Sequence, residues 1–183
     1  MDLLLLIQKC KENDRKAQFE LYEMEHRALM HIAYRYRSSE EDASELVNLA
    51  FFKILTNLDK YDCNHSFRAW TKRVLTNTII DEYRKNKKFS NQVDIEQSVG
   101  DINLDINDVE QAMEMEEVST ILDQLEDQER LVFNLFEIEG YSHQEIAEQL
   151  NVSERTSKRY LSKAKSKLKR IVSEIFGIDK VAV

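Results

Sequence analysis

The carboxyl-terminal part of the chain carries a dense run of positive charge. Between Arg155 and Arg170 there are eight Lys or Arg and no Asp or Glu, although the formal net charge of the protein is −8. Ammonium and guanidinium groups neutralise phosphates, and a guanidinium can also bind a guanine edge with two hydrogen bonds. The run therefore predicts a nucleic-acid contact, while a solvated face or an acidic membrane surface remains the alternative.

The residues before and inside this run predict a helix-turn-helix. Ser142 and Glu145 form a Ser-x-x-Glu capping box, Asn151 stands where a left-handed residue is needed, and Ser153 can cap a second helix. Helical spacing places one set of residues of the second helix on its inner side: Ser157, Leu161, Ala164 and Leu168. The outer side is the candidate duplex-reading surface: Arg155, Lys158, Arg159 and Ser162. Basic residues at the amino end of such a second helix suit the major groove. Lys163, Lys165, Lys167 and Lys169 fit either phosphate contact or exposure to water.

A second basic region, "SFRAWTKRVLTNTIIDEYRKNKK", spans residues 66–88 and holds seven bases against Asp81 and Glu82. Its aromatic residues are interleaved with Lys and Arg. This pattern is typical of a surface on which unpaired nucleobases stack while Lys and Arg follow the nucleic-acid backbone. Phe67 and Trp70 also fit an ordinary hydrophobic core.

Charge divides the chain into parts. Residues 89–129 contain thirteen Asp or Glu and no Lys or Arg, so the remainder of the chain is net +5. Within this block, residues 89–112 show no sustained helical period, which indicates an acidic linker. The flanking regions are basic enough to meet a polyanion.

Helical patterns lie on both sides of the linker. Asp14, Ser39 and Ser66 can each cap a helix before it; beyond it, residues 113–125 read as a helix, and Asp127 can cap another that Gly140 ends. Three Gly and no Pro suit long helices with short connections. The predicted fold is all-α, with two small helical domains, 1–88 and 113–176, an acidic linker at 89–112 and a tail at 177–183.

Other classes of protein find little support. "MDLLLL" lacks the bases of a signal peptide and no apolar run reaches the roughly 18 residues of a membrane span, so we expect a cytoplasmic protein without membrane insertion. Cys10 and Cys63 have no metal-type spacing, and the four His show no ligand pattern. We expect no enzyme activity, no catalytic residue, no cofactor and no metal, since no nucleophile motif or Gly-rich phosphate loop is present.

Two segments resemble the conserved regions of one family. "DASELVNLAFFKILTNLDKYD" followed by residues 66–88 resembles region two of the extracytoplasmic-function sigma factors of bacterial RNA polymerase, within the sigma-70 family and with a Bacteroidetes-like character. "LEDQERLVFNLFEIEGYSHQEIAEQLNVSERTSKRYLSKAKSKLKRI" resembles region four. The resemblance runs from about residue 14 to 172, in the order and with the tether that the family has.

This resemblance implies roles for particular residues. Docking on the clamp helices of the polymerase large subunit falls to Asp42, Glu45, Leu46, Asn48 and Lys53. Opening the minus-ten element as single-stranded DNA and holding a flipped base falls to Asn64, Phe67, Trp70, Lys72, Arg73 and Asn77. The backbone at its upstream edge would be followed by Arg84, Lys85, Lys87 and Lys88. The outer face of the second helix, together with Thr156 and Lys163, would read the minus-thirty-five element as duplex promoter DNA.

The same resemblance implies further partners. Region four would meet the flap of core RNA polymerase, the linker would thread toward the RNA exit path, and an anti-sigma factor is implied by family habit. Two positions depart from the family: Asn48-Leu49 stands where Gln-Glu is usual, and Arg155 replaces a frequent Gly.

Two other functions fit part of the sequence. A stand-alone helix-turn-helix regulator explains residues 141–170 but leaves residues 66–88 and the acidic tether without a role. A helical adaptor with no nucleic-acid role fits the amphipathic helices in general.

Overall fold

The computed structural model describes residues 2–87 and 120–176, and every regular element in those ranges is helical. The all-α prediction is therefore confirmed. The chain separates into two compact units, Met1–Asn86 (unit 1) and Lys87–Val183 (unit 2). The acidic linker predicted at 89–112, the tail at 177–183, Lys88 and most of the predicted helix at 113–125 lie outside the described residues. The domain boundaries stay predictions.

The described part of unit 1 has four α-helices. They are α1 (Leu3–Lys11), α2 (Arg15–Ala33), α3 (Glu40–Thr56) and α4 (Phe67–Lys87), with a 3₁₀ turn at Leu58–Lys60 between the last two.

The predicted caps of unit 1 form. Asp14 Oδ1 accepts the backbone N–H groups of Lys16 at 2.8 Å and Ala17 at 3.2 Å. Ser39 Oγ accepts from the N–H of Asp42 at 3.0 Å. Such caps satisfy donors that have no partner inside the helix, so the starts of α2 and α3 follow from local sequence.

Helix α1 was not predicted. Asp2 accepts the N–H of Leu4 at 3.4 Å, and Leu6, Ile7 and Cys10 are buried where α1 packs on α2. Four consecutive leucines conceal the helical period, because apolar residues then occur on every side.

The core of unit 1 is made by α2, α3 and α4. Its fully buried large side chains are Leu21, Leu29, Val47, Ile54, Leu58, Leu75, Ile79 and Ile80. Burying an aliphatic side chain of this size contributes about 1.5–3 kcal/mol, so this cluster holds the helices in place. Phe19 of α2 lies outside this core and is 61% exposed.

Unit 2 contains α5 (Asp127–Phe133), a π-helical turn (Asn134–Ile138), α6 (His143–Leu150) and α7 (Glu154–Phe176). The prediction that Asp127 caps α5 is wrong: Glu126 is the cap and forms a capping box with Glu129. Lys167 of α7 reaches both carboxylates, at 3.4 Å and 2.7 Å, a tertiary contact absent from the local pattern. Gly140 adopts φ +76° beyond the turn, as a helix-ending glycine does.

The helix-turn-helix forms as predicted. Ser142 and Glu145 make the capping box at the start of α6, Asn151 is left-handed at φ 53°, and Ser153 Oγ accepts the N–H of Thr156 at 3.0 Å. The inner residues of α7 are all buried: Ser157, Leu161, Ala164 and Leu168. Helix α7 is 23 residues long.

Candidate nucleic-acid interface

The loop between the 3₁₀ turn and α4 is ordered by its own polar groups. Asp62 Oδ1 accepts the backbone N–H of Asn64 at 2.9 Å and its side-chain amide at 2.8 Å. The backbone N–H of Asn64 is also the main reason why the pKa of Asp62 is lowered. Tyr61 donates its hydroxyl to the carbonyl of His65 at 2.7 Å, which closes the loop. Asn64 itself is exposed and held in place.

An aromatic cluster supports this loop. The ring of Tyr61 lies 5.0 Å from that of Phe67 and 5.5 Å from that of Trp70, and the last two rings are 5.7 Å apart. Phe67 is buried, so its side chain supports the loop from behind and has no surface to offer DNA; Trp70 is half-buried and keeps one part of its ring outside. Aromatic pairs at these distances stabilise one another and fix the ring planes.

One side of α4 gathers four of the residues predicted to contact the minus-ten element. Trp70, Arg73, Asn77 and Arg84 are three, four and seven residues apart, which places them along one side of a helix. Lys85 is exposed and paired with Glu82 at 2.6 Å. Lys72 is half-buried and, one residue before Arg73, projects about 100° away around the helix. The structure therefore does not bring Lys72 to the same side. Lys87 closes α4, and its side chain lies outside the described part of the chain.

Two polar contacts tie α4 to the rest of unit 1. Thr71 donates its hydroxyl to the carboxylate of Glu25 in α2 at 2.7 Å, and both side chains are buried. Lys53 Nζ in α3 lies 2.9 Å from Asp81 in α4. Lys53 was predicted to bind the polymerase, but its ammonium is engaged inside this unit. Sequence reasoning missed Glu25, because nothing in the local pattern marks a buried carboxylate.

The other predicted docking residues share α3. Asp42, Glu45 and Asn48 are exposed, and the amide oxygen of Asn48 accepts the hydroxyl of Tyr22 at 3.0 Å. Leu46 is buried in the core and has no surface for a partner.

Two exposed phenylalanines lie on these same helices. Phe52 of α3 is 64% exposed and Phe19 of α2 is 61% exposed. Phe52 follows Glu45 by seven residues and Asn48 by four, so the three share one side of α3. An aromatic residue on the polar side of an amphipathic helix is a signal that could have been found in the sequence. Large exposed apolar side chains beside acidic ones mark an interaction surface.

The outer side of α7 presents the predicted duplex-reading residues together. Arg155 and Lys158 are exposed, while Arg159, Ser162 and Lys163 are half-buried. The guanidinium of Arg159 lies 5.4 Å from the centroid of the Tyr160 ring. Thr156 is the one that turns toward the cap: its Oγ1 lies 2.8 Å from Ser153 Oγ.

The four lysines that the sequence left open separate into two groups. Lys165 Nζ lies 2.7 Å from Glu137, and Lys167 Nζ lies 2.7 Å from Glu129, whose side chain is 1% exposed. Burial is the largest single influence on the pKa of Lys167 and lowers it, but the contributions of Glu129 and Glu126 together outweigh burial, so the pKa is raised. These two lysines therefore join α7 to the preceding helices, and Lys163 and Lys169 remain at the outer surface.

Neither a membrane span nor a metal-ion cluster occurs in the described part of the chain. None of these helices has both the length and the apolar character that a bilayer span requires. Within residues 2–87 and 120–176, His, Cys, Asp and Glu side chains do not come together in threes that could hold a metal ion.

Comparison with known families accounts for both units. The model of sigma-70 region 2 matches residues 21–89, and that of sigma-70 region 4 matches residues 115–168. Together the matched segments cover about two thirds of the chain.

Individual proteins show the same similarity. The ECF RNA polymerase sigma factor SigW of Bacillus subtilis (strain 168) is 28% identical over 81 residues, which is 44% of this chain and 43% of SigW. The chain thus spans less than half the length of SigW. The RNA polymerase sigma factor NccH of Alcaligenes xylosoxydans xylosoxydans is 24% identical over 89% of this chain and 90% of NccH.

A solved structure has the same fold. The sigma factor RpoE of Bartonella quintana, in complex with the anti-sigma factor NepR, matches 88% of this chain and 97% of its own at a TM-score of 0.50 and 21% identity. The two matching regions, in the order found here, show that the chain belongs to the sigma-70 family of RNA polymerase sigma factors and resembles its extracytoplasmic-function members.

Proposed function

We propose that the chain is a transcription initiation factor that binds core RNA polymerase, opens the minus-ten element and reads the minus-thirty-five element. One observation carries this proposal. Each unit presents its own basic surface, and the two surfaces suit different forms of DNA: a helix-turn-helix in unit 2 and an aromatic–basic helix in unit 1. A regulator of duplex DNA needs only the first.

In unit 2, α7 enters the major groove of the minus-thirty-five element. Its outer side holds the residues that we assign to duplex contact: Arg155, Thr156, Lys158, Arg159, Ser162 and Lys163. Exposed Arg and Lys near the amino end are placed for base edges, and those further along are placed for phosphates.

In unit 1, the loop and α4 capture unpaired bases of the minus-ten element. Trp70 offers a partly exposed ring for stacking, and Asn64 and Asn77 offer amides that can read the edge of a flipped base. Arg73, Arg84, Lys85, Lys87 and Lys88 follow the backbone. Phe67 acts through the aromatic cluster, since its own ring is buried.

Core polymerase docks on α3. Asp42, Glu45 and Asn48 supply polar contacts with the clamp helices of the large subunit, and we add the exposed Phe52 as an apolar anchor. Leu46 and Lys53 support this surface from inside the unit. Region four meets the flap, and the residues at 89–112 pass toward the RNA exit path.

Three further statements belong to this proposal. The protein works in the cytoplasm, where bacterial RNA polymerase is, and catalyses no reaction of its own. An anti-sigma factor is a further proposed partner, and the complex of RpoE of Bartonella quintana with the anti-sigma factor NepR supports this proposal. The chain falls among sigma factors of the Bacteroidetes, and a phylogenetic tree that places it elsewhere would contradict this point.

Selection from a random duplex library tests the proposal. The free protein, sigma-free core polymerase and the two combined are each incubated with the library, and bound DNA is sequenced. We expect two spaced motifs from the combination and no motif from either component alone. A motif selected by the free protein, unchanged when core is added, would instead identify a stand-alone regulator.

A further inference from the structure

His143 is held on two sides in unit 2. It begins α6, and its ring stacks on Phe136 of the π-helical turn, with centroids 4.3 Å apart and planes inclined by 23°. Its Nδ1 lies 2.9 Å from Oγ of Ser157 in α7. One half-buried imidazole therefore joins the π-helical turn, α6 and α7.

Ser157 lies where the direction of α7 matters most. It is fully buried, and its neighbours Thr156 and Lys158 are among the residues assigned to duplex contact. A second contact, between Glu137 of the π-helical turn and Lys165, holds α7 two turns further along. One polar contact from α6 and one from the π-helical turn fix the rotation of α7 about its own axis, on which the direction of every outer side chain depends.

We propose that His143 is a positioning residue for duplex recognition. Its neutral ring, held between Phe136 and Ser157, sets the rotation of α7 and hence the direction in which Lys158 meets DNA. The inference rests on the proposed function, in which α7 reads the minus-thirty-five element. It adds a residue that touches no DNA itself.

The surroundings of the ring favour its neutral form. Burial is the largest cause that lowers the pKa of His143, followed by Lys158, and Lys165 acts in the same direction. Glu154 and Glu137 raise it but are outweighed. When the ring leaves this site, its pKa returns to about 6.5, and it is therefore protonated more readily. As the pH falls below that value, the packed arrangement loses stability relative to the released one.

Transcription by polymerase reconstituted with the full chain tests this inference. The templates are a promoter recovered by the selection above and the same promoter with its minus-thirty-five element scrambled. The quantity measured is the ratio of initiation on the two templates between pH 8 and pH 5.5. This ratio cancels any effect of pH on the polymerase, on core binding or on the minus-ten element.

We expect the wild-type ratio to fall below about pH 6.5. His143→Gln should lower the ratio at pH 8 by about threefold to tenfold, which is the scale of one lost hydrogen bond. Because the glutamine side chain does not titrate, the ratio of this variant should not change with pH. Ser157→Ala should also lower the ratio at pH 8. His31→Gln replaces an exposed histidine of unit 1 and should keep the wild-type profile.

Two results would overturn the inference. If the wild-type ratio is constant from pH 8 to pH 5.5 and His143→Gln matches it, His143 does not position α7. If the wild type itself fails to distinguish the two templates at pH 8, the proposed reading by α7 fails as well, and His143→Gln is not needed to see it. Should His143→Gln unfold, as circular dichroism would report, the wild-type pH profile and Ser157→Ala still decide.

Discussion

Lysines that look alike in the sequence have different roles on α7. Lys158 is exposed on the outer side, whereas Lys167 binds the buried carboxylate of Glu129 and Lys165 binds Glu137. Removing an outer lysine takes away an interaction with DNA. Removing Lys167 leaves a buried carboxylate without its ammonium, which costs the stability of the unit.

Lys158→Ala and Lys167→Ala should therefore give opposite results. We expect Lys158→Ala to weaken promoter binding by the polymerase by about 1–3 kcal/mol if the lost contact is to a base, with unchanged thermal unfolding. Lys167→Ala should lower the stability of unit 2 by about 1–3 kcal/mol. Promoter titrations and thermal melts of both variants check this. Equal promoter affinity for Lys158→Ala and the wild type would remove Lys158 from the interface.

Sequence reasoning worked at this scale where the determinant is local. Asp14, Ser39, Ser142 and Asn151 act on backbone groups within three residues or through their own φ, so their roles can be read from neighbours. Glu137 lies 28 residues from Lys165 in the sequence, and Glu129 lies 38 residues from Lys167. Thr71 lies 46 residues from Glu25. Periodicity locates a side of a helix, but it does not say which side chains cross to the next one.

At the scale of elements, α4 presents residues proposed to bind single-stranded DNA, and two polar contacts fix the position of this helix. Thr71 binds Glu25 of α2, and Asp81 binds Lys53 of α3. Trp70 and Lys72 flank Thr71 in the sequence, and their side chains project from other sides of α4. A buried carboxylate stabilises a structure only while its hydrogen bonds are made, so the first contact specifies how α4 is seated.

Thr71→Val keeps the shape of the side chain and removes its hydroxyl. We expect unit 1 to lose about 1–3 kcal/mol of unfolding free energy, because the Glu25 carboxylate stays buried without that donor. Trp70 is the single tryptophan of the chain, so its fluorescence during urea unfolding reports unit 1. Thr56→Val is the matched control, since Thr56 is exposed and its hydroxyl bonds only carbonyls of its own helix and the side-chain amide of the adjacent Asn57. Equal midpoints for the two variants would contradict this role for Glu25.

Helix existence was easier to predict than helix shape. Three of the four helices of unit 1 were expected from caps and periodicity, while α1 was hidden by its uniform run of leucines. The π-helical turn at Asn134–Ile138 was not foreseen either. It brings Phe136 under His143 and Glu137 to Lys165, and such a turn depends on these tertiary contacts more than on local propensity.

At the scale of the whole molecule, acidity and DNA binding belong to different surfaces. The basic sides are those of α4 and α7, whereas α3 begins with Glu40, Glu41 and Asp42 and exposes Phe52 further along. An apolar anchor with an acidic margin suits a basic helical partner and repels DNA. The family resemblance implied the acidic docking residues, and the position of Phe52 on their side of α3 was a further signal in the sequence that was not used.

Phe52→Ala should weaken binding to core polymerase. Truncating an aromatic anchor at an interface costs about 2 kcal/mol or more, which raises Kd by more than tenfold. Leu5→Ala is the control, because Leu5 is an exposed apolar residue on α1, outside the proposed docking surface. Fluorescence anisotropy of labelled protein with core polymerase measures both. Wild-type affinity in Phe52→Ala would place the docking surface elsewhere.

The central claim is that this chain gives RNA polymerase its choice of promoter. The most direct measurement adds the purified protein to sigma-free bacterial core polymerase on sheared genomic DNA of the source organism and maps the 5′ ends of the transcripts. We predict discrete start sites that share two upstream elements, near minus ten and minus thirty-five. Initiation no greater than that of core alone, together with specific binding of duplex sites by the free protein, would contradict the claim.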